Sequence, residues 1–324
     1  MERAMASRGG HGPGGDWDTV VSPPHPRLRP GVIAYRGLRL ALNGPRSRLE
    51  APIGAATLLL GFEGPVRISR AGAPTTSLVS VYSGPTTTPA VGDHGGRIAG
   101  IEVLLAPWAA FTLIGTPQHE LTNRAVDPDA LPHALARGRP GTSRRASVGE
   151  LAAALATLPG WTERFDLLDD VLTRWFRTGP PSSARVVRAW SVLQRSGGAI
   201  PVPRLAGEVG WSVRQLENRF REQIGLAPKV AARVLRMQRA RRLLASGRSA
   251  VETAAICGFY DQAHLSGEFR ALTGCTPREF AAARGAIVAV PAGLPGPDRI
   301  SGEATSLVLP PNRIALFSKT GRII

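Results

Sequence analysis

Cysteine is almost absent from this chain: there are two among 324 residues, Cys257 and Cys275. Neither has a Cys-x2-Cys partner or a His pair beside it, which excludes a cysteine-built zinc site and a disulfide framework. Small buried thiols in a reducing compartment are the expectation. Lysine is equally scarce, with only Lys229 and Lys319, so the basic residues are nearly all arginine. No apolar run approaches the ~20 residues a membrane span requires. The opening MERAMASRGGHGPGGDWD lacks the apolar core of a secretory leader, so a cytoplasmic protein is expected, without membrane partners. Acidic residues are in deficit, 24 against 40 basic, for a formal charge of +16. That balance favours a polyanionic partner and says nothing about fold.

With 43% hydrophobic residues, the chain has enough apolar material for two globular domains. Residues 1–29, rich in Gly, Pro, His and Arg, read as a disordered tail. Over 30–136, short apolar runs alternate with breakers: Val32–Tyr35, Ala56–Phe62, Val66–Ser69, Ser77–Tyr82 and Ile98–Leu105. Their spacing predicts a β-rich sandwich or small barrel serving sensing or assembly. Pro107 to Asn123 reads as helix or loop. Residues 137–147 (RGRPGTSRRAS) form a basic linker, and 148–180 carry helically spaced apolar residues split by Pro159-Gly160. That hairpin is expected either to pack on the β domain or to mediate dimerisation. Residues 182–284 form an all-α domain. In the tail over 285–324, Ser306–Leu309 and Arg313–Phe317 flank Pro310-Pro311-Asn312 like a small hairpin. The fold class is therefore α+β and multidomain.

The all-α region contains one pattern twice. The first copy is Ala206-x3-Gly210-Trp211, then Leu216-x3-Phe220-x4-Gly225-x2-Pro228. The second is Ala254-x3-Gly258-Phe259, then Leu265-x3-Phe269-x4-Gly274-x2-Pro277. Each has the shape of a helix-turn-helix: Ala for close helix contact, Gly at the helix exit, and a second helix with Leu and Phe one turn apart.

In the first copy Ser212 caps the second helix, and Leu216 and Phe220 fix its inner face. Arg214, Asn218, Arg221 and Glu222 then project outward, with Glu217 on the flank. Arg can fork onto guanine, Asn onto adenine, and Glu can accept from cytosine, which makes Arg214, Glu217, Asn218 and Arg221 candidate base readers. In the second copy Asp261 caps the helix and the outer surface is poorer, with Ala263, Gly267 and Arg270 among Gln262, His264 and Ser266. Gln262 and Ser266 are its candidate readers.

Between the copies, residues 227–246 form a helix that carries Lys229, Arg233, Arg236, Arg239, Arg241 and Arg242. At ~30 Å it could hold the two reading helices one turn of B-DNA apart, about 34 Å. Residues 201–284 hold 14 basic against 7 acidic side chains, and Lys229, Arg236, Arg239, Arg242 and Arg270 are candidate phosphate contacts.

The strings LAGEVGWSVRQLENRFREQIGLAP, RMQRARRLLASG and CGFYDQAHLSGEFRALTGCTPREF resemble the DNA-binding domain of AraC/XylS-type transcription regulators. The matching signature is Gly258-Phe259-Tyr260-Asp261-Gln262, Phe269-Arg270 and Gly274-Cys275-Thr276-Pro277. The chain departs from the family at Ala250 and Thr253, where bulky aliphatics are usual, and at Gly267, where a long polar residue is common. The resemblance implies a sequence-specific regulator that binds double-stranded DNA. A small-molecule effector, a second copy of the chain and RNA polymerase are its further candidate partners.

GPVRIS, Ile98-Ala99-Gly100-Ile101-Glu102 and Leu104-Leu105-Ala106-Pro107 resemble, more distantly, a divergent cupin-like sensor domain. A metal-binding cupin needs a His-x-His pair and a downstream Glu, whereas His94, His119 and His133 stand apart, so neither metal nor cofactor is expected. The Ada-type repair branch needs cysteines upstream, and none precedes Cys257. No Gly-x-Ser-x-Gly or phosphate loop occurs in the β half, so an enzyme with an appended DNA-binding domain is the weakest alternative. A DNA-binding protein with a purely structural N-terminal domain is the stronger one.

Overall fold

The computed structural model describes residues 5–131 except 13, residues 147–288, and the stretches 299–300, 303–304 and 306–309. The expected linker at 137–147 lies outside these apart from Ser147, and so do His133 and the proposed hairpin strand 313–317.

The N-terminal half opens with ten strands: β1 (Ala6–Gly10), β2 (Gly15–Ser22), β3 (Val32–Leu42), β4 (Arg46–Glu50), β5 (Ala56–Glu63), β6 (Val66–Ser69), β7 (Thr76–Leu78), β8 (Val81–Ser83), β9 (Ala90–His94) and β10 (Arg97–Leu105). Helix α1 (Pro107–Ile114) and β11 (Ala125–Val126) complete it, and the paired helices α2 (Val148–Thr157) and α3 (Trp161–Thr178) follow. The C-terminal half is helical: α4 (Ala184–Arg195), α5 (Val202–Glu208), α6 (Val213–Ile224), α7 (Pro228–Ala245), α8 (Ala250–Cys257), α9 (Gln262–Thr273) and α10 (Pro277–Val288). Three short strands, β12 (Arg299–Ile300), β13 (Glu303–Ala304) and β14 (Ser306–Leu309), come last.

A seven-stranded antiparallel sheet runs β1-β2-β3-β10-β5-β8-β11, and a five-stranded one runs β14-β4-β9-β6-β7. The larger sheet buries one face under helices. Tyr35, Leu58, Leu60, Ile101 and Val103 pack there against Val148, Leu155, Phe165, Leu168 and Leu172 of α2 and α3. Polar pins fix the helices: the Tyr35 hydroxyl donates to Asp169 at 2.7 Å, and Trp161 Nε1 donates to Asp18 at 2.7 Å. The apolar stripe of the helical hairpin thus packs on the β domain, with Leu167, Trp175 and Phe176 only partly buried.

One expectation for the termini needs correction. Residues 15–22 are not a disordered tail; β2 pairs with β3 from Gly15↔Leu42 to Ser22↔Tyr35, and Val20 is buried. The overall Gly/Pro composition of 1–29 masked a local strand in which Trp17 and Val20 supply the apolar contacts. Ser306–Leu309 joins the edge of the smaller sheet, with Leu307 opposite Leu49, and its expected hairpin partner 313–317 lies outside the described residues.

β4 and β9 belong to two neighbourhoods at once. Arg46, Arg48 and Glu50 of β4, with Ala90, Gly92 and His94 of β9, face a cavity between the sheets. The alternate residues Leu49 and Val91 face outward and join the apolar cluster of the second helical unit, with Met237, Leu244 and Phe269. The loop after β4 is tied to α7 as well: Arg241 Nη2 donates to the Pro52 carbonyl at 2.7 Å, and Gln238 Oε1 accepts from Gly54 N–H at 2.9 Å. Glycine at 54 permits this close approach: a Cβ there would lie 2.5 Å from Leu235 Cδ2 and force that side chain to move.

Candidate nucleic-acid interface

Each sequence repeat folds into the same local structure. In the first, α5 ends at Gly210 with φ +64°, and Trp211 N–H returns to the Ala206 carbonyl at 3.0 Å. In the second, α8 ends at Gly258 with φ +69°, and Phe259 N–H returns to the Ala254 carbonyl at 2.9 Å. Only glycine enters the left-handed region without strain, and the small Ala lets the turn close on the helix. Both second helices, α6 and α9, run for 12 residues and stop at a left-handed glycine, Gly225 or Gly274.

Ser212 caps α6 through a reciprocal box with Gln215, and the Asp261 carboxylate caps α9 through His264 N–H at 2.7 Å. Such caps are worth about 1 kcal/mol each. Leu216 and Phe220 are fully buried in one core with Trp190, while Leu265 and Phe269 are fully buried in another with Phe280. Two separate cores joined by α7 make two units, each able to present a helix.

Arg214, Glu217, Asn218 and Arg221 all lie on the exposed face of α6, as the helical spacing predicts, and among the described residues no hydrogen bond or ion pair engages their side chains. Their neighbour Arg219 is instead paired with Glu222 at 2.9 Å. On α9, Gln262 and Arg270 are exposed and Ser266 is half-buried, while Glu268 is held by Arg233 of α7. Gly267 is exposed, and a methyl group there would meet nothing within 4 Å. Gly267→Ala should therefore stabilise the domain by up to about 1 kcal/mol through helix propensity, read as a rise of a few degrees in melting temperature. A fall would mean that this position needs its glycine for a reason other than helix formation.

The connecting helix divides its basic residues among three environments. Lys229 and Arg233 are exposed. Arg236 is half-buried over the Phe259 ring, 5.8 Å from its centroid, and Arg239 is half-buried beside Gly197. Arg242 is exposed but rims a cleft shared with Ile53 and Gly54 of the N-terminal domain.

Arg241 corrects the sequence reading. It is 1% exposed and donates inward to Pro52 rather than decorating the basic face. Val234, Met237, Arg241 and Leu244 follow one helical stripe, so position 241 is an inward position that happens to carry a charge.

The sequence reading overlooked the residues of the inter-sheet cavity. Arg36, Arg46, Arg48 and Arg70, with Glu50, Glu102 and His94, enter a space of about 200 Å³ lined elsewhere mainly by Leu, Ile, Val and Ala, with Thr19, Thr57, Ser83 and Thr86 among them. Arg36 Nη2 pairs with Glu102 at 2.9 Å. Desolvation lowers the Arg48 guanidinium to about 10 and raises the Glu50 carboxyl. Burial, with Arg48 and Arg46 adding repulsion, lowers His94 to about 4, which leaves it neutral near pH 7. The available signal was the alternation Arg46-Ser-Arg-Leu-Glu50, a strand pattern with charge where a hydrophobic face would ordinarily be.

A family model described as "Helix-turn-helix domain" matches residues 205–283. Among solved structures, a transcriptional regulator with an AraC-type DNA-binding domain from Chromobacterium violaceum is 33% identical. The match covers 30% of this chain and 89% of that one, with a TM-score of 0.29. The DNA-binding domain of AdpA, a global transcriptional factor solved with a target DNA, is 30% identical; the match covers 32% of this chain and 96% of that one, with a TM-score of 0.31.

Through this domain the chain belongs to the AraC-type family.

Shared sequence along nearly the whole of those two chains establishes the kinship, and the superposition adds nothing to it. ToxT from Vibrio cholerae spans more of the chain, 76% of it and 98% of its own, but at 10% identity and a TM-score of 0.44 it adds nothing to the assignment. A search of curated proteins gives no match. An AraC-type double helix-turn-helix is a DNA-binding regulatory domain. Among the described residues no helix is long and apolar enough to cross a membrane.

Proposed function

We propose that this AraC-type chain is a sequence-specific transcription regulator that reads DNA mainly through α6 and senses a small ligand in its N-terminal domain. The observation that carries the DNA reading is the contrast between the two second helices. The outer face of α6 holds Arg214, Glu217, Asn218 and Arg221, all exposed and unengaged, whereas that of α9 holds Ala263 and Gly267 among its polar groups. The target-DNA complex of the related AdpA domain supports double-stranded DNA as partner. At 18 residues, α7 is about 27 Å long against about 34 Å for one turn of B-DNA, a spacing that supports reading of successive major grooves on one face.

The cavity between the sheets supports the sensing role. Its wall strands β4 and β9 press their opposite faces on the second helical unit, so a change in the cavity is one strand's thickness from the DNA-binding domain. Coupling through this direct contact needs neither a rigid linker nor a dimer.

Lys229 and Arg270 are exposed cations beside the base-reading faces, and they take the role of phosphate contacts. Lys229→Ala or Arg270→Ala should weaken preferred and random DNA by the same factor and reduce the salt slope of binding by about one contact. A loss confined to the preferred sequence would assign these side chains to bases instead.

A further inference from the structure

We infer that the inter-sheet cavity takes a small organic anion, a carboxylate on a compact apolar body. The inference rests on the sensing role just proposed and names its ligand class.

Three observations converge on it. The first is shape. The cavity of about 200 Å³ has side walls of Leu38, Leu40, Leu59, Val66 and Ile98, while Arg46, Arg48, Glu50 and His94 enter from β4 and β9, Arg36 and Glu102 from β3 and β10, and Arg70 from the end of β6. A dry apolar cavity of about 150 Å³ already accommodates a benzene-sized body, so the space fits a single ring or a short branched chain.

The second is charge. Four arginines, Arg36, Arg46, Arg48 and Arg70, line the space against two glutamates, Glu50 and Glu102. Arg36 is matched to Glu102, its cross-strand neighbour on the larger sheet, and Glu50 lies two residues from Arg48 on the same face of β4. Arg46 and Arg70 remain as the positive excess, with Arg70 held in place by the Thr88 carbonyl. An occupant with one negative charge reduces that excess, and a cation enlarges it. In a medium of low dielectric this difference favours the anion strongly.

The third is an unmet donor. His94 is 7% exposed, and its Nδ1 accepts from Gly96 N–H at 3.2 Å. The proton of the neutral ring is therefore on Nε2, and that buried atom has no hydrogen-bond partner. A buried donor without an acceptor costs about 1–3 kcal/mol, and a ligand oxygen would remove the penalty. Arg48 and His94 stand on strands paired at Arg48↔Gly92 and Arg46↔His94, so one carboxylate can meet both groups.

The test uses the full-length protein and three probes of one shape and different charge: cyclohexanecarboxylate, cyclohexanecarboxamide and cyclohexylmethylammonium. Their dissociation constants are read from calorimetry and from ligand-dependent melting temperature. The carboxylate should bind at least 10-fold more tightly than the amide, and the ammonium should not bind measurably. Arg48→Met, which keeps the volume of the side chain, and His94→Phe should each erase most of that preference while the protein stays folded. Should either variant unfold, Arg46→Ala at the cavity rim provides the same readout, a smaller carboxylate preference. Equal binding of all three probes, tighter binding of the amide or ammonium, or no binding by any probe would overturn the assignment. DNA affinity at saturating carboxylate separates the two proposals: tight binding without any change in DNA affinity keeps the anion site and removes the sensing role.

Discussion

Arg214→Ala should raise the dissociation constant at the preferred DNA sequence by roughly 5- to 150-fold, the equivalent of about 1–3 kcal/mol for one bidentate base contact. Asn218→Ala should do the same at a neighbouring base pair. Both residues are exposed on α6 and engaged by no other side chain, so the melting temperature of each variant should equal that of the parent. The loss should appear as relaxed preference at one position, with affinity for random DNA reduced far less. The corresponding exposed positions of α9 are Ala263 and Gly267, which offer no hydrogen-bonding side chain to a base edge. Equivalent losses from Gln262→Ala and Ser266→Ala would move the principal reading helix to the second unit.

Phe220→Ala should destabilise the first unit by about 3–5 kcal/mol, the usual cost of truncating a fully buried phenylalanine. Phe220 is 0% exposed and lies 6.2 Å from the Trp190 ring, so its removal opens a cavity between α4 and α6. Phe269→Ala should cost a similar amount in the second unit, where the Phe280 ring lies 5.4 Å away. The two variants should differ in DNA binding. Loss of the α5–α6 core should abolish sequence preference. Loss of the α8–α9 core should lower overall affinity and also loosen the contact with Leu49 and Val91. Chemical denaturation of both variants, followed by binding to preferred and random DNA, reads these outcomes. A shift below about 1 kcal/mol for Phe220→Ala would contradict the packing described.

The helical half was legible because its information is local. Ala, Gly, Leu and Phe at fixed spacing specify a turn, a cap and a buried face, and the duplication repeats the message. Arg241 is the instructive exception: its charge suggested solvent, whereas its helical phase put it inward, and phase prevailed because Pro52 supplies an acceptor.

The β half was less legible, for two physical reasons. β2 lies within a Gly/Pro-rich segment, so composition hid a short strand. β4 carries Arg46, Arg48 and Glu50 on the face turned toward the cavity, and a rule of apolar-in, polar-out fails where the interior holds a cavity with charged walls. The docking of α7 on residues 52–54 was not legible at all, since it depends on a close approach at Gly54 between segments more than 180 residues apart.

Selection of bound sites from a random DNA pool by the full-length protein tests the central claim most directly. The account predicts one enriched motif with two elements about 10–11 base pairs apart, centre to centre. One element should carry most of the base preference, and that element should lose its preference in the Arg214→Ala, Glu217→Ala, Asn218→Ala triple variant. An unenriched pool, or a motif unchanged by the triple variant, would contradict it.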